Sequence, residues 1–178
     1  TTFTEPSAAA LAQLLTEKKS IVNHIVQRAE DLAAILQTQA NEHVLCHTDI
    51  HMGNLLLSSD QRVYIVDWDQ PIFAPKERDL MFIGGGVGGT QYIPEQEKAW
   101  FYAGYGQTKV DPIALAYYRY ERIVQDFAEY CEQLFSSDES GEDRENSLHQ
   151  IAEQFLLGNV IDVAYRTEKL LPKEFRAA

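Results

Sequence analysis

His47-Thr48-Asp49-Ile50-His51-Met52-Gly53-Asn54, followed after a short gap by Val63-Tyr64-Ile65-Val66-Asp67-Trp68-Asp69, is the stretch that decides how this chain is read. Three short apolar runs surround it: Val44-Leu45-Cys46, Leu55-Leu56-Leu57 and Val63-Tyr64-Ile65-Val66. Runs of this length bounded by polar punctuation are strand candidates, and they are the only good ones in the chain. Ser58-Ser59-Asp60-Gln61 is a turn-forming cluster, so the second and third runs are predicted to pair as a hairpin. The strands deliver a carboxylate at Asp49, an amide five positions on at Asn54, and a second carboxylate at Asp67. That set suits phosphoryl transfer, which asks a protein to position a hydroxyl and hold a hard cation with oxygen ligands. Asp49 would accept the hydroxyl proton, while Asn54 and Asp67 would hold magnesium. Taken singly, each of these residues is more often a turn or cap residue.

Outward from this element the pattern is helical. Thr4-Glu5-Pro6 reads as a helix start with a capping hydroxyl and an early proline, leading into an alanine- and leucine-rich segment to about Leu15. Ile21, Val22, Ile25, Ala29, Leu32, Ala33 and Leu36 then recur at three- and four-residue steps, one apolar stripe of a second helix. Beyond Pro75, helices are expected over about Lys76 to Ile83, Glu95 to Tyr105, Pro112 to Phe135 and Arg144 to Leu171. The third of these carries Leu115, Ala116, Tyr120, Ile123, Phe127, Tyr130, Cys131 and Leu134 on one face. Ser136-Ser137-Asp138-Glu139-Ser140-Gly141-Glu142-Asp143 is a polar helix connection. The expected fold is α+β and predominantly helical, one domain over residues 1–178 with a small β-hairpin carrying the site.

With 178 residues and 45% hydrophobic content, the chain can build a core without a disulfide or metal staple. Its net charge of −12 opposes binding to a nucleic-acid backbone and favours a cationic small molecule if the partner is charged. The two cysteines, Cys46 and Cys131, have no metal-ligand spacing and are expected to be free thiols in a reducing compartment. No apolar run approaches the roughly 20 residues needed to cross a bilayer, so a cytoplasmic protein with no membrane contact is expected.

The combined spacing resembles the protein-kinase-like superfamily, whose catalytic loop has an Asp, an Asn five positions on, and a hairpin ending in a metal-binding Asp. More narrowly, His-x-Asp-x-His-x-Gly-Asn with Ile-Val-Asp-Trp, and then Pro75-Lys76-Glu77-Arg78-Asp79-Leu80, resembles the aminoglycoside phosphotransferase family. Asp67-Trp68-Asp69-Gln70-Pro71, the run from Asp79 to Gly86, and Tyr117-Tyr118-Arg119-Tyr120-Glu121-Arg122 are especially similar to its spectinomycin-modifying branch. The resemblance implies Asp49 as catalytic base and Asn54 and Asp67 as magnesium ligands. It implies His47 as a support of the loop, and Leu56 and Val66 as walls of an adenine pocket. It also implies ATP or GTP as phosphoryl donor, a cationic aminoglycoside or aminocyclitol as acceptor, and a role in antibiotic resistance or in ordinary metabolism. Trp68-Asp69 and His51 depart from the protein kinases, which makes a peptide acceptor an unsuitable substrate.

No glycine-rich loop and no strand lysine precede Asp49, so the resemblance covers the larger C-terminal lobe of a kinase-like fold. The nucleotide-covering N-terminal lobe is expected to belong to the same polypeptide, and this piece alone to be inactive. Gly84-Gly85-Gly86-Val87-Gly88-Gly89 lacks the Gly-Lys-Ser/Thr ending of a phosphate loop and reads as a helix-ending connector. His43, His47 and His51 would align for zinc on a helix, but Val44-Leu45-Cys46 favours a strand there. Asp79 is either a buried structural carboxylate or a solvated first-turn charge. Asp69, Glu121, Asp126 and Glu129, with Glu132, are candidate acceptor-binding carboxylates, or the last four are simply a wet helix face. Two further readings stay open: a metal-dependent phosphohydrolase built on His47, Asp49 and His51, and a kinase-like ligand-binding module without catalysis.

Overall fold

The computed structural model describes residues 3–85, 93–136 and 142–177, with Glu142 described by its backbone. Among these residues seven α-helices and four strands follow one another: α1 (Pro6–Glu17), α2 (Lys19–Leu36), β1 (Val44–Cys46), β2 (Leu55–Leu57), β3 (Val63–Ile65), β4 (Ile72–Ala74), α3 (Glu77–Leu80), α4 (Pro94–Tyr105), α5 (Pro112–Ser136), α6 (Glu142–Glu153) and α7 (Val160–Glu168). Among the described residues, no helix is long and apolar enough to cross a membrane.

The body of the molecule is built around α5. Its inward stripe, with Ala116, Tyr120, Ile123, Phe127 and Leu134, packs against Leu11 of α1, Ile25 and Leu32 of α2, Ile151 of α6 and Ala164 of α7. A fully buried leucine or isoleucine stabilises such a core by about 2 kcal/mol through removal from water alone. One polar chain runs through it. The Tyr120 hydroxyl donates to Glu168, and the same carboxylate takes the Arg28 guanidinium at 2.8 Å, so the buried charge is paired. A second, smaller cluster of Cys46, Ala74, Met81, Phe82, Ala114 and Tyr118 joins the strands to the start of α5. Both cysteines are free, and burial pushes the Cys46 thiol up to about 11.

The strands form two nested antiparallel pairs. β2 and β3 make the expected hairpin, with Leu56 opposite Tyr64. β1 pairs with β4 outside it, Leu45 opposite Phe73. The β4 run Ile72-Phe73-Ala74 was not expected as a strand, because Pro71 and Pro75 fence it to three residues. Its partner lies 28 residues away, a pairing that no local pattern announces. Nesting has one consequence for function: residues 47–54 and 66–71 are forced against each other.

Three other boundaries differ from expectation. The α1 cap is Glu5, whose carboxylate accepts the Ser7 and Ala8 amides at 3.0 and 2.7 Å, in place of the Thr4 hydroxyl. An anion at that position also answers the helix dipole, and these amide bonds, Ala8 first, hold Glu5 down to about 2. The helix expected from Lys76 to Ile83 is reduced to the four residues of α3. The single helix expected from Arg144 to Leu171 is two: α6 ends at Glu153, residues 154–159 turn, with Gly158 at φ +85°, and Asn159 caps the new helix by accepting the Val160 amide on its side-chain oxygen at 2.7 Å. Residues 86–89 of the glycine run and 137–141 of the polar connection lie outside the described residues; of the connection's described members, Ser136 ends α5 and Glu142 and Asp143 already open α6.

Candidate active site

The loop after β1 is pinned from three sides. Asp79, at the end of the Lys76-Glu77-Arg78-Asp79 run, accepts the backbone amides of His47 at 2.9 Å and Thr48 at 2.8 Å, one on each carboxylate oxygen. That is the structural carboxylate, and the solvated first-turn charge is set aside. Thr48 sits at φ +77°, a strained region for a β-branched residue, and is held there by the Asp79 bond and by its hydroxyl donating to the Gln70 carbonyl at 3.2 Å. His47 is 1% exposed and spans the nested pairs. Its Nε2–H donates to the Val66 carbonyl at 2.8 Å while Nδ1 accepts the Asp49 amide at 3.3 Å. Trp68 lies edge-on to the His47 ring at 4.6 Å.

Asn54 closes the loop. Its amide nitrogen donates to the Asp49 carbonyl at 2.8 Å and lies 3.3 Å from Asp49 Oδ2, and the Asn54 carbonyl accepts the Val66 amide at 3.0 Å. His51 accepts the Gly53 amide on Nδ1 at 3.0 Å, which leaves hydrogen on Nε2, 3.4 Å from Asp49 Oδ2. A Cβ at Gly53 would lie 2.7 Å from His51 Cε1, so a larger residue there would push the His51 ring out of its place beside Asp49. Asp49 Oδ1 takes the Arg122 guanidinium of α5 at 2.8 Å. Asp67 follows the strand end Val66 at φ +67°, in the left-handed region that Asp tolerates better than most residues, and is exposed.

His51 and Arg122, the two neighbours of Asp49, also line a cavity of about 850 Å³ between α5, the residue 81–82 turn and the α6–α7 connection. Phe82, Asp126, Tyr130, Glu153, Gln154 and Asn159 are among its other walls. Burial pushes the Asp126 carboxyl up, opposed by Arg122 at 2.8 Å and by Gln154 at 3.0 Å. Of the candidate acceptor carboxylates, Asp126 alone lines this cavity. Glu121 turns to Tyr117 and Arg78, at 3.1 and 3.8 Å, while Asp69, Glu129 and Glu132 are exposed away from it. Leu56 is 53% exposed on the hairpin face, and Val66 is half-buried beside it. The three histidines do not share a helix, because residues 44–46 are strand.

Sequence reasoning did not single out Arg122, Gln154, or Glu153. The signal for Arg122 was present as a cation four residues before Asp126 on the long helix, the spacing of a surface ion pair. Nothing local marked its second bond, to a residue 73 positions away.

For magnesium, the relevant observation is the orientation of Asn54. With its nitrogen spent on the Asp49 carbonyl, its oxygen is left as the acceptor end, and Asp67 offers an exposed carboxylate on the adjoining segment. A hard-oxygen donor pair of this kind fits a magnesium ion that also takes phosphate oxygens. Among the described residues, no three His, Cys, Asp or Glu side chains assemble as a metal cluster, which such a shared site does not require.

The sequence model of the phosphotransferase enzyme family matches residues 3–109. Two solved structures of spectinomycin phosphotransferase are similar to this chain. In the complex with ADP and spectinomycin the identity is 41% and the TM-score 0.82, over 93% of this chain and 50% of that one. In the AMP-bound complex the values are 40% and 0.79, over 92% and 50%. The chain spans half the length of the solved chains it matches and corresponds to the helical C-terminal lobe of their kinase-like fold. The chain belongs to the phosphotransferase enzyme family.

Proposed function

We propose that the polypeptide containing this chain transfers the γ-phosphoryl group of ATP or GTP to a hydroxyl of a cationic small molecule of the aminocyclitol or aminoglycoside class. The observation that supports this best is the placement of Asp49. Its carboxylate meets Arg122 and His51, both of which line the cavity that also holds Asp126 and Glu153, and its loop is locked to Asn54 and to the segment bearing Asp67. The acceptor oxygen forms a bond to the γ-phosphorus, the bond to the β-phosphate oxygen breaks, and the hydroxyl proton passes to Asp49. Asn54 and Asp67 hold magnesium, which when bound offsets the charge on the nucleotide phosphates. His47 keeps the two loops in register, and Leu56 and Val66 offer an apolar face to the adenine ring. Asp126 binds an ammonium group of the acceptor, with Asp69, Glu121 and Glu129 outside its reach in this arrangement. The lobe that covers the nucleotide belongs to the remaining half of the fold, and turnover requires it. A cytoplasmic enzyme, where ATP is available, fits this chemistry.

The test is incubation of the intact polypeptide with magnesium and ATP or GTP over a panel of aminocyclitols that includes spectinomycin, read by mass spectrometry. A phosphate ester on one acceptor is expected. Release of phosphate from a monoester without a nucleotide would favour the phosphohydrolase, and acceptor binding with no nucleotide consumption would favour the non-catalytic module.

A further inference from the structure

Among the described residues, Arg122 is the side chain of the helical body that reaches the Asp49 carboxylate, and its geometry is directional. Nη1 bonds Asp49 Oδ1 at 2.8 Å, while Nε bonds Asp126 Oδ1 at 2.8 Å. Gln154 holds the other Asp126 oxygen at 3.0 Å, and the guanidinium lies over the Phe82 ring at 5.9 Å. A planar cation with two charge-assisted bonds and a ring beneath it has little rotational freedom. The two oxygens of Asp49 are consequently unequal. Oδ1 is committed to the guanidinium, whereas Oδ2 has only the longer approaches of Asn54 at 3.3 Å and His51 at 3.4 Å.

We propose that Arg122 is a positioning residue for the transfer step: it holds Oδ1 of Asp49 so that Oδ2 faces the acceptor hydroxyl. Asp126 and Gln154 set the guanidinium in turn, so the cavity wall that meets the acceptor also aims the proton acceptor. The inference rests on the reading of Asp49 as the group that takes the hydroxyl proton. It gives the Arg122–Asp126 pair a second duty beyond that of a surface ion pair, since its members are 30% and 15% exposed and both face the cavity.

The test compares Arg122→Ala and Arg122→Lys with the parent in the intact polypeptide, using ATP, magnesium and an acceptor that the parent phosphorylates. Misaiming a reacting group costs up to about a hundredfold, so kcat of Arg122→Ala should fall about ten- to a hundredfold with KM for magnesium–ATP unchanged. Arg122→Lys should lie between the two. Added guanidinium ion should restore part of the kcat of Arg122→Ala and leave Asp49→Asn unaffected, which a merely structural role would not produce. Parent-like turnover in Arg122→Ala overturns the proposal. So does a loss that guanidinium does not relieve and that Arg122→Lys shares in full. If the parent phosphorylates no acceptor, the reading of Asp49 fails and this inference goes with it. If the parent does phosphorylate one, the outcome bears on Arg122 alone.

Discussion

In the helical body the apolar side chains face inward, with Leu11, Ile25, Leu32, Ile123 and Leu134 wholly buried, whereas the nested strands leave Leu57, Val63 and Phe73 at 72%, 64% and 73% exposure. The first region is held by packing. The second has strands of three residues in pairs of two, a size that is marginal on its own. What fixes the loops between the strands is a set of polar side chains, two of them rooted in the helices: Asp79 from α3 and Arg122 from α5. The site is therefore precise because the body reaches into it.

Substitutions should separate the two regions. The largest effect on stability is expected for Leu32→Ala or Ile123→Ala, which leave a cavity in the helical core and should cost about 2–5 kcal/mol in denaturant unfolding. Losses below about 1 kcal/mol would mean the body is not the stabilising region. Asp79→Asn keeps the shape but removes the charge that accepts two backbone amides, and about 1–3 kcal/mol is expected. Protease cleavage between His47 and Asn54 should rise with it. Leu57→Ala and Phe73→Ala should change the stability of this chain by no more than about 0.5 kcal/mol. A large loss there would show that the strands pack more than their exposure indicates.

The smallest effect is at the α1 cap. The folded value of Glu5 is held down to about 2 from an ordinary 4.5, so the stability it adds is present above pH 4.5 and is lost as pH falls towards 2. The difference in melting temperature between the parent and Glu5→Gln should be full at neutral pH and shrink through that window. A difference independent of pH would assign the cap to hydrogen bonding without charge.

The helices of the body were legible because their apolar residues recur every three or four positions, as in Ile25, Ala29 and Leu32. The β2–β3 hairpin was legible from its turn residues. β4 was not, since three residues between prolines carry no period and their partner is distant in sequence. The α6–α7 break was within reach: Gly158-Asn159 is a turn residue followed by a helix cap, within a run that otherwise continues the helical pattern. At the site, the spacing of Asp49, Asn54 and Asp67 was visible because one β element carries all three. Arg122 and Gln154 were not, because they arrive from α5 and from the turn after α6, far along the chain, and are joined to it only by the fold.

The central claim, that Asp49 and Asp67 do different work at one phosphoryl-transfer site, is tested most directly by measuring turnover and magnesium–nucleotide binding together in Asp49→Asn and Asp67→Ala of the intact polypeptide. Asp49→Asn should lose orders of magnitude in kcat while binding magnesium–ATP as the parent does, and Asp67→Ala should lose the metal-dependent part of nucleotide binding. Unchanged turnover in Asp49→Asn would contradict the account.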